Sequence, residues 1–263
     1  MQILECRNPA EAVPWLPQIA ASDWSAGQYL HQLLEGGGFH QLLGDKARLL
    51  LLTDSGRLMS FCTYAGRDEI PAPELTPWIG FVYTFPQYRG KRRIGKLLEH
   101  AYRLAKEEGF PCIYISSGEV GLYEKYGCTF WKMMENMRGG MSRVYRLPVT
   151  RADYSHVLGT WVSGTVDRPL GSVHPRCPEM VYPVNYGYVD GVTAGDGEGQ
   201  DVYILGADRP LQTFSGMVAG VWRRLNDCED KWIITPDGAP LSREEILSAI
   251  EFQEQYYMGE LYM

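Results

Sequence analysis

The chain has 263 residues, of which 45% are hydrophobic, and its formal net charge at pH 7 is −7. This hydrophobic content is ample for packed cores, so a disordered or low-complexity chain is excluded. No run of the sequence approaches membrane-spanning length and no stripe combines basic with aromatic residues, so we expect neither a membrane nor a nucleic acid as a partner.

The charge is distributed unevenly along the chain. Residues 151–263 carry −9, which leaves +2 on residues 1–150. A mildly basic part and an acidic part favour different ligands, although an acidic surface that only maintains solubility would give the same pattern. The sequence also changes beyond Pro148 to short β-like runs separated by turns. We therefore expect two domains, residues 1–149 and 150–263.

The start of the chain and its cysteines bear on the compartment. Residues 1–7 have neither the apolar core nor the flanking charge of a secretory signal, so we expect a cytoplasmic protein. The cysteines lie at Cys6, Cys62, Cys112, Cys128, Cys177 and Cys228. Because none of them forms a CxxC pair, the pattern indicates reduced thiols rather than a disulfide framework or a zinc knuckle.

The first domain mixes helical and strand patterns. Apolar residues recur at helical spacing from Ile94 to Ala105, which predicts a long helix that Gly109 ends. In chain order the predicted elements are a helix at Trp24–Leu34, a hairpin of Ala47–Thr53 and Arg57–Ala65, a strand at Trp78–Phe85, the long helix, a strand at Pro111–Ser116, a short helix at Val120–Tyr126 and a strand at Thr129–Met134.

The segment Tyr88–Lys96 places cationic side chains and glycines where the long helix begins. Free backbone N–H groups and the positive end of the helix dipole attract phosphate at such a position. The candidate residues are Arg89, Gly90, Lys91, Arg92, Arg93 and Gly95. A solvated basic surface is the alternative interpretation of the same residues.

Two motifs resemble those of a known family. They are Gly80–Gly90, with the sequence GFVYTFPQYRG, and Gly121–Gly127, with the sequence GLYEKYG. On these motifs, residues 1–145 resemble the GNAT family of acetyl-CoA-dependent N-acetyltransferases. The resemblance implies an α/β fold in which helices pack on a mixed sheet, acetyl-CoA as the cosubstrate, and a small amine as the acceptor.

The GNAT resemblance also implies roles for individual residues. Backbone groups of Val82 and Tyr83 would bind the pantetheine arm like an added strand, and the basic segment would hold the diphosphate. Tyr123 would protonate the leaving thiolate, which suits a phenol because its pKa lies at or slightly above that of the thiol. A tyrosine that only packs its ring on the core is the alternative for Tyr123.

The sequence names neither the acceptor nor its base. The strand at Trp78–Phe85 carries no obvious base, and the acidic residues near it fall in a predicted loop: Asp68, Glu69 and Glu74. An amine that arrives partly neutral would react through a water relay. In the family, small residues are usual at the positions of Arg92 and Ile94, so a domain that senses acetyl-CoA without transferring its acetyl group stays open as a hypothesis.

The second domain reads as mostly β. The predicted elements are short strands at Val157–Val166, Val202–Leu205, Ser215–Trp222 and Lys231–Thr235, followed by a helix from Arg243 to Tyr256. Strands with a terminal helix predict a small barrel.

Carboxylates crowd two turns of this domain. Asp196, Glu198 and Asp201 lie in a turn rich in glycine, and Asp227 and Glu229 lie just before Lys231. Clustered carboxylates repel one another unless a cation offsets them, and hard divalent cations prefer oxygen ligands. The spacing therefore indicates a metal site, with an ordinary surface turn as the alternative.

The segment Tyr182–Tyr188, YPVNYGY, followed by AGDGEGQD, resembles the family I soluble inorganic pyrophosphatases over about residues 162–256. The resemblance implies a barrel that binds Mg²⁺ or Mn²⁺ and pyrophosphate. The implied metal ligands are Asp196, Glu198, Asp201, Asp227 and Glu229, and the implied phosphate-binding residues are Tyr182, Tyr186, Lys231 and Tyr256. Glu198 would orient or deprotonate the attacking water, and Lys231 would assist as a catalytic cation.

These patterns together predict a bifunctional enzyme, an N-acetyltransferase joined to a magnesium-dependent hydrolase of pyrophosphate or a related phosphoanhydride. The rival hypothesis makes the second domain a degenerate module that binds metal or phosphate or drives oligomerisation. Tyr257 stands where the family has a second lysine, which favours the rival. Pyrophosphatase-like barrels commonly self-associate, so a homo-oligomer is a further expectation.

Overall fold

A computed structural model describes residues 1–150 and 152–263 of the chain. The chain divides into two compact units, Met1–Arg151 and Ala152–Met263. Among the described residues, no helix is both long and apolar enough to cross a membrane. All six cysteines are free thiols, and three of them, Cys6, Cys62 and Cys128, are buried.

The first unit is built on one sheet of seven strands in the order β1-β2-β3-β4-β5-β7-β6. The strands are β1 (Gln2–Cys6), β2 (Arg48–Asp54), β3 (Arg57–Ala65), β4 (Trp78–Thr84), β5 (Cys112–Ser117), β6 (Thr129–Glu135) and β7 (Met141–Pro148). Only β4 and β5 pair in parallel, so the sheet is mixed. The hairpin of β2 and β3 forms its centre because both strands are apolar along almost their whole length.

Five helices accompany this sheet: α1 (Pro9–Ala12), α2 (Leu16–Ala20), α3 (Ser25–Glu35), α4 (Phe39–Leu43) and α5 (Arg93–Glu107). Helix α5 buries Leu97, Leu98 and Ala101 against the sheet, as the spacing of its apolar residues predicts. It ends at Gly109, whose φ of +81° is available to glycine at little cost. Short 3₁₀ helices at Val13–Trp15, Pro86–Tyr88 and Tyr123–Tyr126 complete the unit.

The second unit is a closed barrel. Its strands are β8 (Trp161–Arg168), β9 (Val173–His174), β10 (Cys177–Val181), β11 (Asn185–Thr193), β12 (Gly199–Ile204), β13 (Thr213–Arg224), β14 (Lys231–Thr235) and β15 (Gly259–Tyr262). The order β14-β12-β11-β8-β13 closes on itself because β13 also pairs with β14. Strand β15 extends this sheet beside β13, while β9 and β10 form a separate hairpin.

Helix α6 (Arg243–Glu254) follows the barrel and begins with a capping box, in which Ser242 and Glu245 each bond the other's backbone N–H. Its apolar face buries Ile246 and Ile250 in a cluster with Tyr203 and Ile233 of the barrel wall. The predicted fold class, an α/β unit with a mixed sheet followed by a small barrel with a terminal helix, is confirmed.

Some element predictions need correction. Strand β11 (Asn185–Thr193), which precedes the carboxylate turn, is absent from the predicted strands. Strand β8 begins at Trp161 rather than at Val157, because the backbone N–H of Val157 bonds the carbonyl of Tyr154 in a turn.

Candidate active site

A cavity of about 1440 Å³ opens in the first unit where β4 and β5 separate. The parallel pairing of these strands covers Trp78 and Ile79, opposite Tyr114 and Ile115. The next five residues of β4, 80–84, line the cavity. The other walls come from the end of β5, the start of α5 and the 3₁₀ turn that carries Tyr123.

The backbone of β4 is distorted at the cavity. Its register with β3 shifts between Phe61 and Thr63, and Phe81 has a φ of +50°, which marks a bulge. Val82 and Tyr83, the residues predicted to bind pantetheine, follow this bulge and line the cavity. Past Ile79, the edge of β4 that faces the cavity is therefore positioned to pair with an extended ligand.

The start of α5 forms a second wall. Gly90, with a φ of +77°, and Arg92, with a φ of +52°, turn the chain so that the helix begins at Arg93. Gly90, Arg92 and Arg93 line the cavity together with Ile94. The basic start of α5 is thus part of the cavity wall, while the Arg93 guanidinium donates to Met1 Sδ. A helix start of this kind attracts phosphate.

Two of the residues predicted to bind phosphate are not on the cavity wall. Lys91 is exposed, and neither Lys91 nor Gly95 is among the described residues that line the cavity. Gly95 packs against the ring of Tyr126, so closely that a Cβ at residue 95 would lie 2.8 Å from the ring. The side chain of Arg92 also lies over this ring, with its Cζ 5.7 Å from the centroid.

Arg89 is held close to β4. Its Nε donates to the carbonyl of Thr84 at 2.9 Å, and its Cζ lies 5.6 Å from the ring centroid of Tyr83. A second guanidinium nitrogen lies 3.5 Å from the Asp23 carboxylate, which also accepts a hydrogen bond from the Tyr83 hydroxyl. Arg89 therefore lines the cavity from the side of the strand.

Tyr123 is 4% exposed and lines the cavity. Burial raises the pKa of its phenol above the ordinary value, and a hydrogen bond with Ser117 partly offsets this effect. The phenol therefore keeps its proton at neutral pH, as a proton donor must. Its ring centroid lies 5.5 Å from that of Tyr145, so the side chain also packs.

The structure brings two carboxylates to the cavity that sequence analysis left in a loop, Asp68 and Glu69. Asp68 accepts a hydrogen bond from the backbone N–H of Glu69 at 2.7 Å. Burial, with a smaller contribution from the Glu69 carboxylate, raises the pKa of Asp68 to about 7. The Glu69 carboxylate accepts hydrogen bonds from the hydroxyls of Ser116 and Ser142, each at 2.7 Å.

In the second unit, the five predicted metal ligands do not form one set. Asp196 and Glu198 are exposed, and the Asp196 carboxylate accepts from the backbone N–H of Glu198 at 2.9 Å within the turn. Asp227 accepts from the backbone N–H of Cys228, also at 2.9 Å. Within residues 1–150 and 152–263, no three His, Cys, Asp or Glu side chains form a group that could hold a metal ion.

Lys231 forms ion pairs with the other two predicted metal ligands, Asp201 and Glu229. The Lys231 side chain is 2% exposed, and its Nζ lies 2.5 Å from Asp201 Oδ2 and 2.6 Å from Glu229 Oε2. The Tyr186 hydroxyl also donates to Asp201. Burial and a hydrogen bond with Asp201 raise the pKa of Glu229 to about 7. Burial alone would raise the pKa of Asp201 too, but its bonds to Glu229, Lys231 and Tyr186 lower it.

A second buried cation, Arg224, extends this network. Its guanidinium donates to Glu254 at 2.9 and 2.7 Å and to Asp227 at 3.0 Å. The Tyr203 hydroxyl donates to the same Glu254 carboxylate at 2.5 Å. Sequence analysis did not identify Glu254, although its spacing of four from Ile250 places it on the buried face of α6.

The predicted phosphate-binding tyrosines are only partly together. Tyr182 and Tyr186 are buried with their ring centroids 5.5 Å apart. Tyr256 is 47% exposed just after α6, and no ring contact joins it to the other two in the described parts of the chain. Because Lys231 and Arg224 already form ion pairs with Asp201, Glu229, Asp227 and Glu254, these carboxylates point at protein cations, and the residues present do not fit a magnesium site.

Comparisons with known proteins agree with the GNAT resemblance of the first unit. Residues 41–131 match the family model described as "Acetyltransferase (GNAT) domain", so the predicted GNAT resemblance is confirmed over those residues. Among solved structures, an aminoglycoside 6'-N-acetyltransferase complexed with coenzyme A is 11% identical, with a TM-score of 0.43, covering 58% of this chain and 99% of that one. An aminoglycoside 6'-acetyltransferase type Ii is 15% identical, with a TM-score of 0.45, covering 58% and 100%.

Solved structures similar to the second half are inorganic pyrophosphatases. One from Coxiella burnetii is 18% identical, with a TM-score of 0.29, covering 38% of this chain and 78% of that one. One from Neisseria gonorrhoeae is 19% identical, with a TM-score of 0.30, covering 40% and 81%. The search of curated proteins found no match to this chain.

Proposed function

We propose that the first unit binds acetyl-CoA and transfers its acetyl group to a small amine. The observation that carries the proposal is the 1440 Å³ cavity between β4 and β5, which joins an unpaired strand edge to the basic start of α5. An extended pantetheine arm can add to a strand edge through main-chain hydrogen bonds. A diphosphate is stabilised by backbone N–H groups and cations at a helix start.

The residues divide into three tasks. Backbone groups of Val82 and Tyr83 hold the pantetheine arm, and Gly90, Arg92 and Arg93 hold the diphosphate, with Lys91 and Gly95 shaping the turn. Tyr123 gives its proton to the thiolate that leaves when the C–S bond breaks. Its position on the cavity wall supports this role; the phenol is protonated near neutral pH, and burial raises its pKa, which makes it a weaker acid than a free phenol.

Calorimetry and a thiol assay on the full chain test this proposal. Titration with acetyl-CoA should show saturable binding, and a panel of primary amines should release free coenzyme A thiol in proportion to amide formed. The matched variants are Arg92→Ala, which should weaken binding, and Lys132→Ala on β6, which should not. No binding at millimolar acetyl-CoA would refute the proposal, whereas binding without thiol release for any amine would favour a sensor of acetyl-CoA.

For the second unit, we propose that the barrel is a non-hydrolytic module rather than a magnesium-dependent hydrolase of pyrophosphate. The ion pairs of Lys231 support this choice, because they engage Asp201 and Glu229, two of the five predicted metal ligands. Glu198, the residue expected to orient or deprotonate the water, is exposed and belongs to no group of potential metal ligands among the described residues.

Phosphate release from pyrophosphate decides between the two functions of the second unit. The full chain should release no phosphate with either Mg²⁺ or Mn²⁺, and its melting temperature should not rise with millimolar metal. Turnover that depends on the metal and is lost in Asp201→Asn would overturn this choice. Homo-oligomerisation and a cytoplasmic location stay predictions, which gel filtration and cell fractionation test.

A further inference from the structure

Asp68 and Glu69 lie on the wall of the cavity at the point where β4 and β5 begin to separate. Gly80 is the first residue of β4 after the last one paired with β5. A Cβ at residue 80 would lie 2.2 Å from Asp68 Oδ2, so the glycine leaves room for this carboxylate beside the strand. The chain thus places Asp68 at the bulge, where β4 turns toward the ligand cavity.

The charges of these two carboxylates are not offset by cations. Asp68 accepts only the backbone N–H of Glu69, and Glu69 accepts two serine hydroxyls. In the described parts of the chain, neither forms an ion pair. The other charged or titratable residues that line the cavity are Asp23, Tyr29, Tyr83, Tyr88, Arg89, Arg92, Arg93, Glu119, Tyr123, Lys125, Tyr126 and Arg138. The cavity therefore favours a cationic guest at this point.

We propose that Asp68 is the base of the acetyl transfer and that the acceptor is a small primary amine that enters as its ammonium ion. This inference rests on the proposed function of the first unit. The ammonium gives one proton to the Asp68 carboxylate, and the neutral nitrogen attacks the thioester carbonyl. As the C–N bond forms and the C–S bond breaks, Tyr123 protonates the thiolate. The second amine proton restores the Tyr123 phenol, the third stays on the amide nitrogen, and Asp68 then releases its proton to solvent.

The chemistry of the site suits this assignment. A general base works best when its pKa lies near the operating pH, and burial brings Asp68 to about 7. The Glu69 carboxylate adds a second negative charge that attracts the ammonium. A fixed base at the point where β4 and β5 part also removes the need for the amine to arrive neutral.

The test compares Asp68→Asn with Glu74→Gln, an exposed residue that follows in the same loop. The acceptor probes are 1,4-diaminobutane, which is protonated at neutral pH, and 2,2,2-trifluoroethylamine, a primary amine that is largely neutral. We expect Asp68→Asn to lower kcat/KM for diaminobutane about 10²-fold or more and to abolish the rise of kcat/KM through about pH 7. The loss for trifluoroethylamine should be far smaller, since this amine needs no base for its first proton. Glu74→Gln should match the wild type.

Acetyl-CoA binding, measured by calorimetry, separates the outcomes. Unchanged binding by Asp68→Asn shows that the variant folds, and equal losses for both amines would indicate a structural role and overturn the assignment. A wild-type rate with an unchanged pH profile in Asp68→Asn would overturn it as well. A wild-type chain that binds acetyl-CoA but does not acetylate diaminobutane overturns the acceptor class, whereas a chain that does not bind acetyl-CoA fails at the proposed function itself.

Discussion

Replacing Lys231 by methionine tests whether this lysine holds the barrel together as its internal cation. The methionine keeps the apolar stem of a side chain that is 2% exposed, so little packing is lost. The ammonium is lost, and the ionised Asp201 carboxylate is left partly buried with only Tyr186 and Glu229 as donors. Removing one partner of a buried pair costs about 3–5 kcal/mol. Because Glu229 can hold a proton, we expect the lower end, about 3 kcal/mol.

Urea unfolding of the full chain, followed by tryptophan fluorescence, measures this loss. Arg209→Met, which removes an exposed cation from the same unit, is the matched control and should change stability by less than about 0.5 kcal/mol. The double variant Lys231→Met/Asp201→Asn should recover most of the loss, because it removes the unpaired charge. A single variant as stable as the wild type, or one stabilised by more than the control, would refute the reasoning.

Further predictions concern both units. Tyr123→Phe should lower the rate of acetyl transfer about 10²-fold while acetyl-CoA binds as before, as measured by thiol release and calorimetry. Arg92→Gly should relieve a backbone held at a φ of +52° and raise the melting temperature, yet weaken acetyl-CoA binding about tenfold through the lost guanidinium. Glu229 has a pKa raised to about 7, so its contribution to the free energy of unfolding is full below about pH 4.5 and is lost as the pH rises through 7. Glu229→Gln should therefore flatten the dependence of stability on pH over this range.

Local sequence patterns predicted much of the fold. Helix α5 and the β2–β3 hairpin follow from apolar periodicity and turn residues, which act between neighbours in the chain. Strand β11 was missed because its glycines indicate a turn. In the barrel, Gly187 instead allows close approach of strands, since a Cβ there would lie 2.0 Å from the carbonyl oxygen of Thr165 in β8. Such a contact depends on strand pairing and leaves no local signal.

The same contrast between local signals and strand pairing applies to the candidate sites in the two units. The basic residues at the start of α5 could be proposed from the sequence as a phosphate site because they are adjacent in the chain, and this site stays a prediction. Asp68 was not predicted, because it reaches the cavity only when β3 and β4 pair. The ion pair of Lys231 with Asp201 was not predicted for a related reason: parallel pairing of β12 with β14 brings together two residues thirty positions apart, and their hydrogen bond is 2.5 Å long.

Calorimetric titration of the full chain with acetyl-CoA, repeated on an Arg92→Ala/Arg93→Ala variant, examines the site on which the proposed transfer depends. We expect saturable binding of one acetyl-CoA per chain by the wild type and binding weakened about 100-fold or more in the variant, since each of the two lost charged hydrogen bonds costs about 1.5–3 kcal/mol. Equal affinity in the two proteins, or no heat of binding in either at millimolar acetyl-CoA, would contradict the assignment of the cavity.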